Sequence, residues 1–222
     1  MRIRHARTAL ELHELSHGDG VPLLLLHALG GSSADWGELP AGWPGPVYGL
    51  DFSGHGRSEW IRGGAYWSEL LVADADVALE HIGRAALVGA GLGAYVALLL
   101  ACARSAQVPA ALLLPGRGLA GSPGPDFDRP FLQALTPAAN PLLPAGCDPM
   151  LCALESDPRP PQYVADLAAA AGRLLLFEDD GERPPWWQRV RESRAVEVVG
   201  GDPATALARL AQTVPSPLAG EG

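Results

Sequence analysis

Glycine fills every second position of Gly89-Ala90-Gly91-Leu92-Gly93, and this stretch lies between two apolar runs, residues 85–88 and 94–103. Residues 85–103 form 19 positions without a charge, flanked by Arg84 and Arg104. A hydropathy window alone would take that length for a membrane span. One helix through the whole stretch would be weakened at each glycine by roughly 1 kcal/mol relative to alanine. The same glycines suit a tight turn from a buried strand into a buried helix. No membrane association is therefore expected, and this turn becomes the centre of the fold.

The alternation of strand and helix extends along the chain. Residues 8–15 alternate Leu10 and Leu12 with polar neighbours, as in a half-exposed strand. Residues 21–26 are continuously apolar, as expected of a strand buried on both faces of a parallel sheet. Ser33 is expected to cap a short helix, residues 46–50 to form a strand, and residues 66–82 an amphipathic helix with Leu71, Ala75, Ala78, Leu79 and Ile82 on one face. Further strands are expected at 110–114, 173–177 and 195–199, short helices at 149–155, 162–171 and 185–192, and a closing helix marked by Leu207, Leu210, Ala211 and Val214. The fold class is α/β, a doubly wound, mostly parallel sheet. Residues 115–171 hold 11 of the 21 prolines and interrupt the pattern as an insertion over the sheet edge. One domain over 1–214 is expected, followed by a disordered tail at 215–222.

Composition narrows the partners. All 16 basic residues are arginine, against 25 acidic ones, and the net charge of −9 argues against nucleic acid or an anionic membrane surface. A small-molecule ligand is expected, with a protein partner or homo-oligomer left open. Cys102, Cys147 and Cys152 are odd in number and lack metal-ligand spacing, so no metal is expected and a reducing, cytoplasmic location is favoured.

Three motifs in order resemble the α/β-hydrolase family over nearly the whole chain apart from the insertion and tail. His27-Ala28-Leu29-Gly30-Gly31 is similar to its H-G-x-x-G loop, Asp51-Phe52-Ser53-Gly54-His55-Gly56-Arg57-Ser58 to its D-x-x-G-x-G-x-S loop, and the stretch 89–93 to the G-x-S-x-G elbow. The resemblance implies that the N–H groups of Leu29 and Leu92 form an oxyanion site, beside which His27 would contact ligand, and that Gly91 stands at the nucleophile position. It aligns Asp180 with the triad acid and Asp202 with the triad histidine. Glycine cannot attack a carbonyl, and none of the six histidines follows the elbow. Asp202 before Pro203 also reads as an ordinary helix N-cap, and the 51–58 loop as a glycine turn held by Asp51 and Ser58, with no catalytic role for His55.

The expected protein is thus a hydrolase homologue with a degenerate triad that binds a small, partly apolar ligand without a cofactor. Two alternatives stay open. One is a weak or unconventional ester, amide or carbon-carbon bond hydrolase using Asp180, Asp202 and the oxyanion donors, with the two carboxylates working as an acid-base or metal-holding pair. The other is a dinucleotide-binding protein, because Gly89-x-Gly91-x-x-Ala94 satisfies the G-x-G-x-x-G/A fingerprint, although no acidic residue lies about 20 positions on to hold a ribose.

Overall fold

The computed structural model describes residues 1–121 and 143–214; residues 122–142 of the expected insertion and the tail 215–222 lie outside them. Eight strands form one sheet: β1 (Arg2–His5), β2 (Thr8–Ser16), β3 (Leu23–Leu26), β4 (Val47–Asp51), β5 (Ala86–Ala90), β6 (Ala110–Leu114), β7 (Arg173–Phe177) and β8 (Val196–Val199). Their order is β1-β2-β4-β3-β5-β6-β7-β8. β1 and β2 join antiparallel at one edge, and every pair from β4 to β8 is parallel.

The apolar runs are continuous because both faces of these strands are covered. In β3, Leu24 and Leu26 enter one core, while Leu23 and Leu25 enter the other. Leu87, Leu113 and Leu176 follow the first pair, and Val88, Leu112 and Leu175 the second. Helices α1 (Ser68–Ile82), α2 (Leu92–Ala103), α3 (Pro161–Ala170) and α4 (Pro185–Arg191) supply side chains to the first core. The second is closed by α5 (Pro203–Thr213) and the loop tryptophans Trp36 and Trp43. Helix α2 is buried at every position from 92 to 101, so the uncharged stretch is an interior strand plus an interior helix. Among the described residues, no helix is long and apolar enough to cross a membrane.

Local chemistry moves some boundaries. β1 had no signal in the sequence reading; it exists as the antiparallel partner of β2. Helix α1 starts at Ser68 rather than 66, because Trp67 is extended (φ −148°, ψ 163°) and Ser68 donates its N–H and hydroxyl to Asp157. Ser33 is not the cap of its 3₁₀ turn. That position falls to Ser32, whose N–H donates to Asp35 (2.9 Å), while Ser33 is turned inward to Asp51. The described end of the insertion reaches the loops above β3 and β4: Cys147 Sγ lies 3.6 Å from Gly30 O, and Asp148 accepts from the Tyr66 hydroxyl (2.7 Å).

Asp51 organises the loop after β4. It is 2% exposed, and its Oδ1 accepts from the N–H and the hydroxyl of Ser33, both at 2.7 Å. Its Oδ2 accepts from Arg57 N (2.9 Å) and lies 3.1 Å from His13 Nε2. Ser58 donates to Asp51 O and accepts from Glu11 N, which fastens β2 to the same loop. Burial would push the Asp51 carboxyl up, but these hydrogen bonds outweigh it and hold the group below the ordinary value of 3.8. Asp51→Ala strands several buried donors and is expected to cost roughly 3 kcal/mol or more in urea unfolding at pH 7. The depressed carboxyl contributes stability in full above its unfolded pKa and loses it as pH falls through the lower folded value. The gap between wild type and variant should therefore narrow below pH 3.8, and a gap constant with pH would contradict the network.

Candidate functional site

The turn between β5 and α2 lies at the carboxyl edge of the sheet, where parallel α/β folds place their ligands. Gly91 has φ 56° and ψ −117°, a conformation open to glycine and strained for any L side chain. Its flanking glycines are required sterically. A Cβ at Gly89 would overlap the Gly93 carbonyl, and a Cβ at Gly93 would overlap Leu26 O. Strand β3 and helix α2 therefore touch backbone to backbone across the turn.

The N–H groups of Leu29 and Leu92 converge. Both donate to one acceptor, the Arg117 carbonyl, at 3.1 and 3.0 Å. That carbonyl also fills the place of a side chain at position 91, since a Cβ there would overlap Arg117 O with Gly116 C at 2.7 Å and Arg117 N at 2.8 Å. The loop carrying it is Pro115-Gly116-Arg117-Gly118. Its glycines allow the approach: Gly118 has φ 75°, and a Cβ on it would stand 2.6 Å from Leu29 Cβ. From behind, Arg159 Nη1 donates to the carbonyls of Gly118 and Leu119, and Trp186 Nε1 donates to Leu119 O (2.8 Å). The Arg159 guanidinium is 1% exposed, sits 4.8 Å from the centre of the Tyr95 ring, and is pushed down by burial to about 10.

His27 is 1% exposed and fully used by the protein. Phe52 N donates to its Nε2 (3.1 Å), which leaves Nδ1 as the donor to Ala28 O (2.8 Å). Burial lowers its pKa, so it presents a neutral ring to its surroundings. His55 packs against it with ring centroids 4.8 Å apart. Burial first, then the neighbouring His27, depress His55 to about 3.

A cavity of about 680 Å³ opens beside the elbow, a size ordinary for a small-molecule site. Its apolar wall includes Trp36, Leu39, Ala90, Leu114, Phe177 and Pro203. Its charged side chains, among the described residues, are Asp35, Asp179 and Asp202. Asp202 is the N-cap of α5, accepting from Thr205 N (2.8 Å) and Thr205 Oγ1 (3.0 Å), and these bonds lower its pKa. Asp180, aligned by resemblance with the triad acid, is exposed and is not among the lining residues; the acidic residue after β7 on the cavity wall is its neighbour Asp179, which pairs with Arg183. No cluster of three or more His, Cys, Asp or Glu among the described residues is placed to hold a metal.

A sequence profile of the Alpha/beta hydrolase family matches residues 23–220. The chain belongs to that family. Solved structures agree on the fold. The thioesterase domain from the curacin biosynthetic pathway superposes with a TM-score of 0.74 at 18% identity, covering 96% of this chain and 98% of that one. The enol-lactonase from Burkholderia xenovorans LB400 gives 0.71 at 16% identity over 94% and 95%. The bottromycin epimerase BotH, in complex with bottromycin A2, gives 0.65 at 18% identity over 96% and 95%. No curated protein sequence matches this chain. Membership of the family also changes the meaning of the glycine fingerprint. Gly91 N donates to Leu114 O (3.0 Å) and Leu92 N to Arg117 O, so amides that a bound pyrophosphate would need are already taken.

The 115–118 loop is not foreseen from sequence, where position 115 only opens the expected insertion 115–171. Its signal was the pair Gly116 and Gly118 around one residue, the same spacing as in the elbow it covers. Gly91→Ala, which adds a Cβ against Arg117 O at a positive φ, is expected to lower stability by about 2–4 kcal/mol. Amide exchange of Leu29 and Leu92 should in wild type be as slow as that of the β5 interior; fast exchange at both would contradict the bond. A second expectation concerns pH. Unfolded His55 takes a proton near 6.5, while the folded side chain resists to about 3, so stability is complete above 6.5 and lost as pH falls. That loss is about 2 kcal/mol by pH 5 from this residue alone. The difference in unfolding free energy between wild type and His55→Gln should shrink accordingly, and no change with pH would refute the assignment.

Proposed function

We propose that this member of the family has given up covalent hydrolysis and binds a small, partly apolar ligand in the cavity beside the elbow. The observation that carries the reading is the Arg117 carbonyl on the amides of Leu29 and Leu92. In an acyl-transfer enzyme, such amides must be free to receive charge that develops on the substrate oxygen. Here they are satisfied by the protein's own backbone, and the atom that would attack is missing at Gly91. Asp202, where the resemblance expects a histidine, accepts hydrogen bonds at the start of α5 and has no proton to relay at neutral pH. What persists is an apolar cavity of ligand size at the sheet's carboxyl edge. That one structural neighbour is an epimerase, BotH, supports a fold whose use extends beyond hydrolysis.

The test has two arms. Incubation with a fluorophosphonate probe, followed by mass-spectrometric mapping, is expected to leave the chain unlabelled, and p-nitrophenyl butyrate should be hydrolysed at the buffer rate. Labelling of a hydroxyl or thiol at the cavity, or turnover that disappears on denaturation, would overturn the loss of hydrolysis. In the second arm, phenylbutanol is expected to change the intrinsic tryptophan fluorescence saturably, because Trp36 lines the cavity. Ala204→Phe, which narrows the cavity from the start of α5, should abolish the change. A response unaffected by that variant would remove the cavity as the binding site.

A further inference from the structure

We infer that the cavity selects an organic cation: an ammonium group carried on an apolar body. The inference rests on the binding role proposed above and adds the charge of the ligand. Its first basis is the hydrogen-bonding character of the walls. The two backbone donors that would hold an ester or carboxylate oxygen are bonded to Arg117 O. His27, the neutral imidazole on the wall, uses one ring nitrogen as donor to Ala28 O and the other as acceptor from Phe52 N, so it offers only its ring. The charged side chains that remain on the described wall are Asp35, Asp179 and Asp202. Hydrogen bonds from Gly181 N and the guanidinium of Arg183 lower the Asp179 carboxyl, and those from Thr205 lower that of Asp202. The side chains therefore offer acceptors, and Asp35 and Asp202 bring negative charge that no lining cation offsets.

The apolar part of the wall adds an independent basis. Trp36 and Phe177 bring aromatic rings to the same cavity as these carboxylates. Aromatic faces attract ammonium groups, and carboxylates at the rim attract them over a longer range. The net charge of −9 acts in the same direction, drawing cations and repelling carboxylates. Asp179 carries Arg183 as its own ion-pair partner, so an anionic ligand would meet the carboxylates of Asp35 and Asp202 with no lining cation to offset them among the described residues.

Three probes of one shape and different charge test this: phenylbutylammonium, phenylbutanol and phenylbutyrate, titrated at low salt with tryptophan fluorescence as the readout. The ammonium is expected to bind at least tenfold more tightly than the alcohol, the carboxylate more weakly than both, and added salt should narrow the spread. Asp202→Asn retains the helix cap, since asparagine caps as well as aspartate. It should reduce the ratio of ammonium to alcohol affinity about fivefold without lowering the melting temperature by more than a few degrees. Equal affinities for ammonium and alcohol in wild type, or a ratio unchanged in Asp202→Asn, would overturn the inference while leaving the binding role intact. Absence of binding by all three probes would overturn both.

Discussion

A single backbone carbonyl decides the chemistry available at the centre of this molecule. Arg117 O lies between the end of β3 and the start of α2 and accepts from both amides that face the elbow. Leaving a buried amide without a partner costs about 1–3 kcal/mol, so expelling this carbonyl without a replacement acceptor would cost that for each donor. The loop is anchored from the opposite side as well, through the Arg159 guanidinium and the Trp186 indole. Gly91 is the condition for this arrangement, because any side chain there would meet the carbonyl. The glycine at 91 and the occupied amides are two aspects of one packing solution.

Around that centre, the polar groups are assigned mainly to holding loops. Asp51 collects donors from Ser33 and Arg57 and stands next to His13, while Asp74 receives Ser53 N and lies 2.7 Å from His5 Nδ1. Both carboxylates are buried, and each reaches a histidine on the antiparallel edge formed by β1 and β2. The edge hairpin is thereby tied to the parallel sheet by charge-assisted bonds as well as by the ladder. His27 and His55 pack against one another in the interior as neutral rings, tilted by 58°. Histidine is abundant near the site, yet the geometry uses it for orientation of the backbone.

The cavity next to the elbow gains its character from what these assignments leave over. With the amides spent and His27 satisfied, its described side chains offer aromatic surface and carboxylate oxygens. The described side chains of the wall thus present mainly acceptors. That character follows from a few local facts, namely a glycine, a carbonyl and a capping aspartate, while the sheet keeps the shape seen in neighbours that share under a fifth of the sequence.

The amino-acid sequence by itself determined the sheet, the turn and the family. Runs such as Leu23 to Leu26 and the uncharged stretch 85–103 could be satisfied only by burial on both sides, and the alternate glycines could be satisfied only by a close turn between strand and helix. The cap at Asp202 was legible because Asp-Pro at a helix start is a local signal, read from neighbouring residues. Less was legible where partners are distant in the chain. Ser33 looked like a cap and is instead a ligand of Asp51, 18 residues on. Asp179 and Asp180 are adjacent in sequence, and only the path of the chain after β7 puts the former on the cavity wall. The Arg117 carbonyl carries no side-chain signature at all: every residue has one, and only tertiary structure can bring a particular carbonyl onto two amides more than 60 positions apart in sequence, Leu29 and Leu92.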